Sequence, residues 1–186
     1  LNTNPGYQSI LEEIIFRHEE MIGEMVASDV DRKELKQKIT PMFEDLRNIL
    51  RGVYLIGDLS QKTSDKIVSY GERFSALIVS KIIGGAKVYD STRFIKTTKQ
   101  FSHHIPDIAY SNELIRQAFL NEPLPKVAIV PGFISSGKEG DDITNLGRGG
   151  SDYTAAIIAA ALDASVLEIW TDVDGFMTAD PKIINS

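Results

Sequence analysis

The sequence predicts an α/β fold, and three observations carry that expectation. Apolar residues recur at three- and four-residue intervals through the first third of the chain. Short apolar runs bounded by glycine and proline alternate with helical segments through the rest. From Lys126 onward the order is strand, glycine-rich stretch, helix, strand. That order is a βαβ unit, whose right-handed crossover lays its two strands parallel in one sheet.

Taken in order, Tyr7 to Val26 carries Ile10, Ile14, Ile15, Met21, Ile22 and Met25 at the spacing of an amphipathic helix. After the turn signal "ASDVD" a second helical pattern runs from Arg32 through Leu59. Pro41 in its middle predicts two helices, with Thr40 as cap and Pro41 at the first helical position. Thr63 to Ile83 is helical by period, interrupted by Gly71, and Gly84 and Gly85 supply its stop before a short strand, "AKVYD". "RFIKTTKQ" reads as strand or loop, "PDIAYSNELIRQAFL" as a helix and "KVAIV" as a short strand. Ser151 to Leu162 is a helix, and Ala164 to Thr171 the second strand of the βαβ unit, with Trp170 packed on the sheet.

Composition narrows the function. A chain of 186 residues with 42% hydrophobic and 25% charged residues is built to fold around a core. A formal net charge of −6 argues against a general electrostatic grip on nucleic acid or anionic lipid. With 0 cysteines, disulfides, thiolate chemistry and sulfur-ligated zinc are excluded, which fits a reducing compartment. No run is apolar enough to cross a membrane and no leader pattern opens the chain, so the expected location is the cytoplasm.

The chemically informative stretch is Asn145 to Thr154, "NLGRGGSDYT", in front of "AAIIAAAL". A helix starting near Ser151 leaves its first N–H groups without intrahelical partners and adds a partial positive charge, which draws anions. Glycines at 147, 149 and 150 let a phosphate or carboxylate reach the backbone, and Arg148 offers a planar fork of donors. The plainer alternative is a flexible surface loop followed by a helix that Ser151 or Asp152 caps. A Rossmann fingerprint is ruled out because "SSGKEGDDITN" separates the apolar strand from Gly147, and no Walker A spacing occurs. His103 and His104 are adjacent without a third ligand at metal spacing, and read as loop histidines.

"GFISSGKEGDDITNLGRGGSDYTAAIIAAALDA", then "EIWTDVDGFMTADPK", with "SYGERFSA" upstream, resembles the catalytic domain of aspartate kinases, in the amino-acid kinase superfamily. The resemblance runs from about Ile10 to the end and is strongest from Ile129 to Lys182. It implies a three-layer α/β/α sandwich with a mostly parallel sheet. It also implies transfer of the γ-phosphoryl group of ATP to the β-carboxylate of L-aspartate with Mg2+ between the phosphates, in a homo-oligomeric full-length protein. Glu72 matches the family carboxylate that holds the substrate ammonium. Arg148 matches the arginine that grips its α-carboxylate, Gly149 and Gly150 the substrate-binding glycines beside it, Ser151 the serine that lies beside the substrate, and Asp152 the residue that orients the reacting groups. Thr171, Asp172, Asp174, Met177 and Lys182 match the nucleotide side. Met177 stands where many relatives have tyrosine and Lys182 where many have arginine.

Two segments typical of these kinases are missing: an amino-terminal Lys-Phe-Gly-Gly-Thr-Ser turn and a later Gly-Ala-Lys segment. The expectation is therefore a partial catalytic domain, incomplete at both ends and inactive alone. Residues 1–125 form a mainly helical, amino-acid-binding portion, and 126–186 a βαβ portion leading into the nucleotide site. "TDVDG" is similar to the kinases fused to homoserine dehydrogenase. Other superfamily kinases, acting on glutamate, N-acetylglutamate or a nucleoside monophosphate, remain open, as does a non-catalytic ligand-binding or assembly fragment.

Overall fold

In the computed structural model the described residues are 6–100, 103–121, 123, 125–140 and 142–171. Helix α1 spans Gly6–Met25, α2 Asp29–Ile56 and α3 Gln61–Ile82. The last two begin at serine caps: the Ser28 side chain accepts from the Asp31 N–H, and Ser60 from the Thr63 N–H. Leu35, Ile39, Phe43 and Leu46 form one buried stripe along α2 and meet Tyr70, Phe74 and Ile78 of α3, with Leu11 and Ile22 of α1 closing the core. Phe43 and Phe74 pack with ring centroids 4.4 Å apart.

Pro41 does not divide α2, contrary to the two helices its position predicts. The buried stripe continues across it, from Ile39 to Phe43, while Pro41 itself is exposed. Packing against α3 thus holds the helix together, and the backbone bond that proline forfeits faces water.

Strand β1 (Lys87–Val88) leads to a 3-10 turn, Ser91–Arg93, then β2 (Lys96–Gln100), β3 (His103–Pro106) and helix α4 (Ile108–Leu120). Strands β4 (Ala128–Ile129), β5 (Ile134–Gly137) and β6 (Ile143–Asn145) precede helix α5 (Gly150–Ala161). β1 and β4 pair in parallel, and the other strands form a sheet in the order β3-β2-β5-β6. β2 and β5 are parallel, β2/β3 and β5/β6 antiparallel. The α/β class is as expected, and the described strands make it mixed, because two hairpins contribute the antiparallel pairs. One places His103 and His104 on β3, paired with Gln100 and Lys99, rather than in a loop. The other forms inside the glycine-rich stretch, where no strands were expected.

Ala164 to Thr171, expected as a strand, has no regular structure. Its apolar side chains find no sheet among the described residues: Trp170 is 89% exposed and donates to Glu168 Oε2 at 3.0 Å instead of packing on strands.

Helices α4 and α5 pack together over Phe94 and Ile95 in a second core, formed with Ile115, Phe119, Ile157 and Ala161. Tyr89 stacks on Phe119 at 4.4 Å. Helix α3 borders β1, β4 and β6, so it touches the sheet layer on its way past the start of α5. No helix among the described residues is long and apolar enough to cross a membrane.

Candidate functional site

The start of α5 is set by sterics. Gly149 is its N-cap with φ 75°, and Gly147 has φ 72°, the left-handed region where a side chain would be strained. No side chain caps this helix, so neither Ser151 nor Asp152 serves as the cap that their position suggested. Both are exposed, which leaves their polar atoms available at an end where unpaired N–H groups and the helix dipole favour an anion.

The chain leaving β4 comes hard against this helix start. A Cβ on Gly132 would lie 2.8 Å from the Ser151 Cα, and one on Gly150 would lie 3.0 Å from the Leu146 Cβ. Glycine is thus required for the approach. Phe133, next in line, has φ 67°, and the Ile134 N–H bonds the Gly132 carbonyl across it at 2.7 Å, a γ-turn on a bulky residue. The strained turn is tied down twice: the Phe133 N–H donates to Thr154 Oγ1 at 3.2 Å, and the Leu146 N–H to the Phe133 carbonyl at 2.9 Å.

These constraints shape a cleft of about 420 Å³ lined by Glu72, Phe133, Gly147, Arg148, Gly149, Gly150, Ser151 and Asp152. Six of these were singled out in the sequence: Glu72, Arg148, Gly149, Gly150 and Ser151 for an amino-acid substrate, and Asp152 as the residue that orients the reacting groups. They come from α3, from the turn before α5 and from its first turn. Phe133 was missed; the signal was "PGF", a proline and a glycine that follow an apolar strand.

The electrostatics of the cleft are uncompensated. Glu72 is half-buried, and burial pushes its carboxyl above the ordinary glutamate value. Among the described residues no side chain pairs with it, nor with Arg148, Ser151 or Asp152. Among the described residues the cleft lining thus offers a carboxylate that lacks a cation and a guanidinium that lacks an anion. A small zwitterion carries a charge for each of them.

Of the nucleotide-side residues, Thr171 is exposed and does not line this cleft. Asp172, Asp174, Met177 and Lys182 lie outside the described residues. Among the described residues no group of three or more His, Asp or Glu side chains is arranged to hold a metal ion.

The pattern of the Amino acid kinase family matches residues 17–186. Among curated proteins, lysine-sensitive aspartokinase 3 of Escherichia coli is 36% identical over 152 residues, covering 77% of this chain and 34% of that protein. Aspartokinase 3, chloroplastic, of Arabidopsis thaliana is 36% identical over 154 residues, 78% of this chain and 27% of that protein. A bifunctional aspartokinase/homoserine dehydrogenase of Buchnera aphidicola is 33% identical over 163 residues, 84% of this chain and 20% of that protein. The chain thus spans about a third of the first relative and a fifth of the bifunctional one. Among solved structures, E. coli aspartokinase III in complex with aspartate and ADP superposes with a TM-score of 0.81 at 34% identity, over 97% of this chain and 40% of that one. The same enzyme with lysine and aspartate gives 0.80 at 32% identity, over the same shares. On the extent of the family match, from Arg17 to the last residue, this chain belongs to the amino acid kinase family.

Proposed function

We propose that this chain is part of an aspartate kinase catalytic domain and that the Glu72–Arg148 cleft receives L-aspartate. The observation that carries the reading is that Glu72 and Arg148, opposite charges with no charged partner among the described residues, line one cleft. Arg148 takes the α-carboxylate in a bidentate grip and Glu72 the ammonium, which leaves the β-carboxylate free to reach the phosphoryl donor. Gly149 sets the start of α5 with its positive φ and Gly150 lets it pack closely, so that the unpaired N–H groups of its first turn lie at the anion. Ser151 borders the substrate, and Asp152 orients the reacting groups. The aspartate- and ADP-bound aspartokinase III to which this chain is similar supports both ligands.

In the proposed reaction an oxygen of the β-carboxylate bonds to the γ-phosphorus of ATP, the bond to the bridging oxygen breaks, and ADP leaves with that electron pair. Phosphoryl transfer asks the protein chiefly for positioning and charge neutralisation. ATP supplies the phosphoryl group, and Mg2+ would neutralise its phosphates. We place the nucleotide beside Thr171, Asp172, Asp174, Met177 and Lys182, on the resemblance alone. Residues 1–125 then contribute Glu72 and residues 126–186 the arginine loop, so the amino acid is shared by the two portions. A cytoplasmic, homo-oligomeric full-length protein completes the proposal.

The test is an ATP-plus-amino-acid assay on the full-length gene product, with aspartyl phosphate trapped as its hydroxamate. L-Aspartate is the expected acceptor. Turnover of glutamate, N-acetylglutamate or a nucleoside monophosphate in its place would overturn the substrate assignment.

A further inference from the structure

Glu72 and Arg148 belong to different elements, and a chain of hydrogen bonds links those elements. Asp65 is 3% exposed and lies seven positions before Glu72, two turns earlier on the same side of α3. Its Oδ1 accepts from Gln61 Nε2 at 2.7 Å and from Asn145 Nδ2 at 2.5 Å. Asn145 is the last residue of β6, and its Oδ1 in turn accepts from the Gly147 N–H at 3.1 Å, an Asx-turn that starts the arginine loop. The two bonds use opposite ends of one amide, so its orientation is fixed: donor toward α3, acceptor toward the loop. A buried carboxylate is costly unless hydrogen-bonded, and here two amides supply the bonds.

We infer that Asn145, anchored by Asp65, is a positioning residue for the substrate site. Helix α3 carries the carboxylate that faces the ammonium and, two turns earlier, the carboxylate that sets where the Arg148 loop begins. The spacing between ammonium and α-carboxylate positions is thereby referred to a single rigid helix. Asn145 and Asp65 touch no substrate; they act through Gly147 and Arg148. This inference rests on the reading of the Glu72–Arg148 cleft as the amino-acid site.

The experiment is steady-state kinetics on the full-length gene product carrying Asn145→Ala, Asn145→Thr, Arg148→Ala and the double variant Asn145→Ala/Arg148→Ala, with thermal midpoints measured alongside. Asn145→Ala is expected to raise KM for aspartate about tenfold or more while KM for ATP stays within about twofold, as loss of orientation alone would do. Asn145→Thr keeps a hydroxyl that accepts from the Gly147 N–H but is too short to replace the amide toward Asp65, and is expected to recover part of the loss. In the Arg148→Ala background Asn145→Ala should cost nothing further, because the side chain it positions is gone. An unchanged aspartate KM in Asn145→Ala, an equal effect in both backgrounds, or a uniform loss for both substrates with a lowered thermal midpoint overturns the positioning role. If Arg148→Ala itself leaves the aspartate KM unchanged, the amino-acid site reading fails and takes this inference with it.

Discussion

Glu72 of α3 and Arg148 of the loop before α5 face one cleft, and neither has a charged partner among the described residues. Removing either side chain therefore breaks no ion pair within the described protein, and the cost should appear in ligand binding alone. Arg148→Ala is expected to weaken aspartate binding about 10- to 100-fold, the range for a charge-assisted bidentate contact, with the melting temperature nearly unchanged. Arg148→Lys should recover little, since an ammonium cannot make the fork. Titration calorimetry with L-aspartate checks both.

Glu72 gives the site a pH signature. Burial raises its value in the folded protein, so the folded state keeps the proton to a higher pH than the unfolded chain. Its contribution to stability is thus present below the ordinary glutamate value and is lost as pH rises through the raised one. Binding runs the other way, because only the ionised carboxylate attracts an ammonium. Aspartate affinity should fall as pH drops through a window just above the usual glutamate range. Glu72→Gln should weaken binding at neutral pH and flatten that part of the profile, which dissociation constants measured across pH would show.

Gly132→Ala tests how the site is built. Its Cβ would sit 2.8 Å from the Ser151 backbone, and backbone cannot move aside as a flexible side chain does. Overpacking of this kind costs about 1–3 kcal/mol, and the displaced start of α5 should weaken aspartate binding as well. Denaturant unfolding together with ligand titration detects the paired loss. A loss of stability with unchanged binding would show that Gly132 serves packing only.

The helical layer has its own polar clamp. Tyr70, 2% exposed, donates its hydroxyl to Asp45 Oδ2, and Lys66 Nζ stands 3.3 Å from the same oxygen. The Tyr70 bond is the main reason the Asp45 carboxyl is held below its usual value, with Lys66 helping. A depressed carboxylate stabilises the fold above its unfolded value, and that contribution is lost as pH falls through the folded one. Tyr70→Phe should destabilise the protein by about 1 kcal/mol, discounted because Asp45 is half-exposed, and the deficit should shrink in acid. Melting curves at neutral and acidic pH decide this.

What was legible in the sequence follows the range of the forces involved. The stripe 35, 39, 43 and 46 and the glycine-arginine entrance to α5 are local patterns, and both stand in the fold. Pro41 misled because its local cost is outweighed by contacts with α3 that no window on α2 contains. The β5/β6 hairpin was hidden because its strands are short and rich in serine and threonine, and pair through buried hydroxyls: Ser135 Oγ to Thr144 Oγ1 at 2.8 Å, and Thr144 Oγ1 to Thr97 Oγ1 at 3.0 Å. Ala164 to Thr171 has strand composition, yet composition cannot supply a neighbouring strand. In the candidate site, motif resemblance pointed to Glu72 and Arg148, which line one cleft, whereas the φ angle of Phe133 and the cross-element bonds of Asn145 become visible only in three dimensions.

Whether Glu72 meets an ammonium while Arg148 meets the neighbouring carboxylate is decided by comparing L-aspartate with succinate, which lacks only the ammonium. Dissociation constants for both, measured on the full-length gene product and on its Glu72→Gln variant, give the decisive ratio. The unmodified protein should prefer aspartate by about tenfold or more, and Glu72→Gln should erase the preference. An aspartate-to-succinate ratio that survives Glu72→Gln unchanged would contradict the contact between Glu72 and the ammonium.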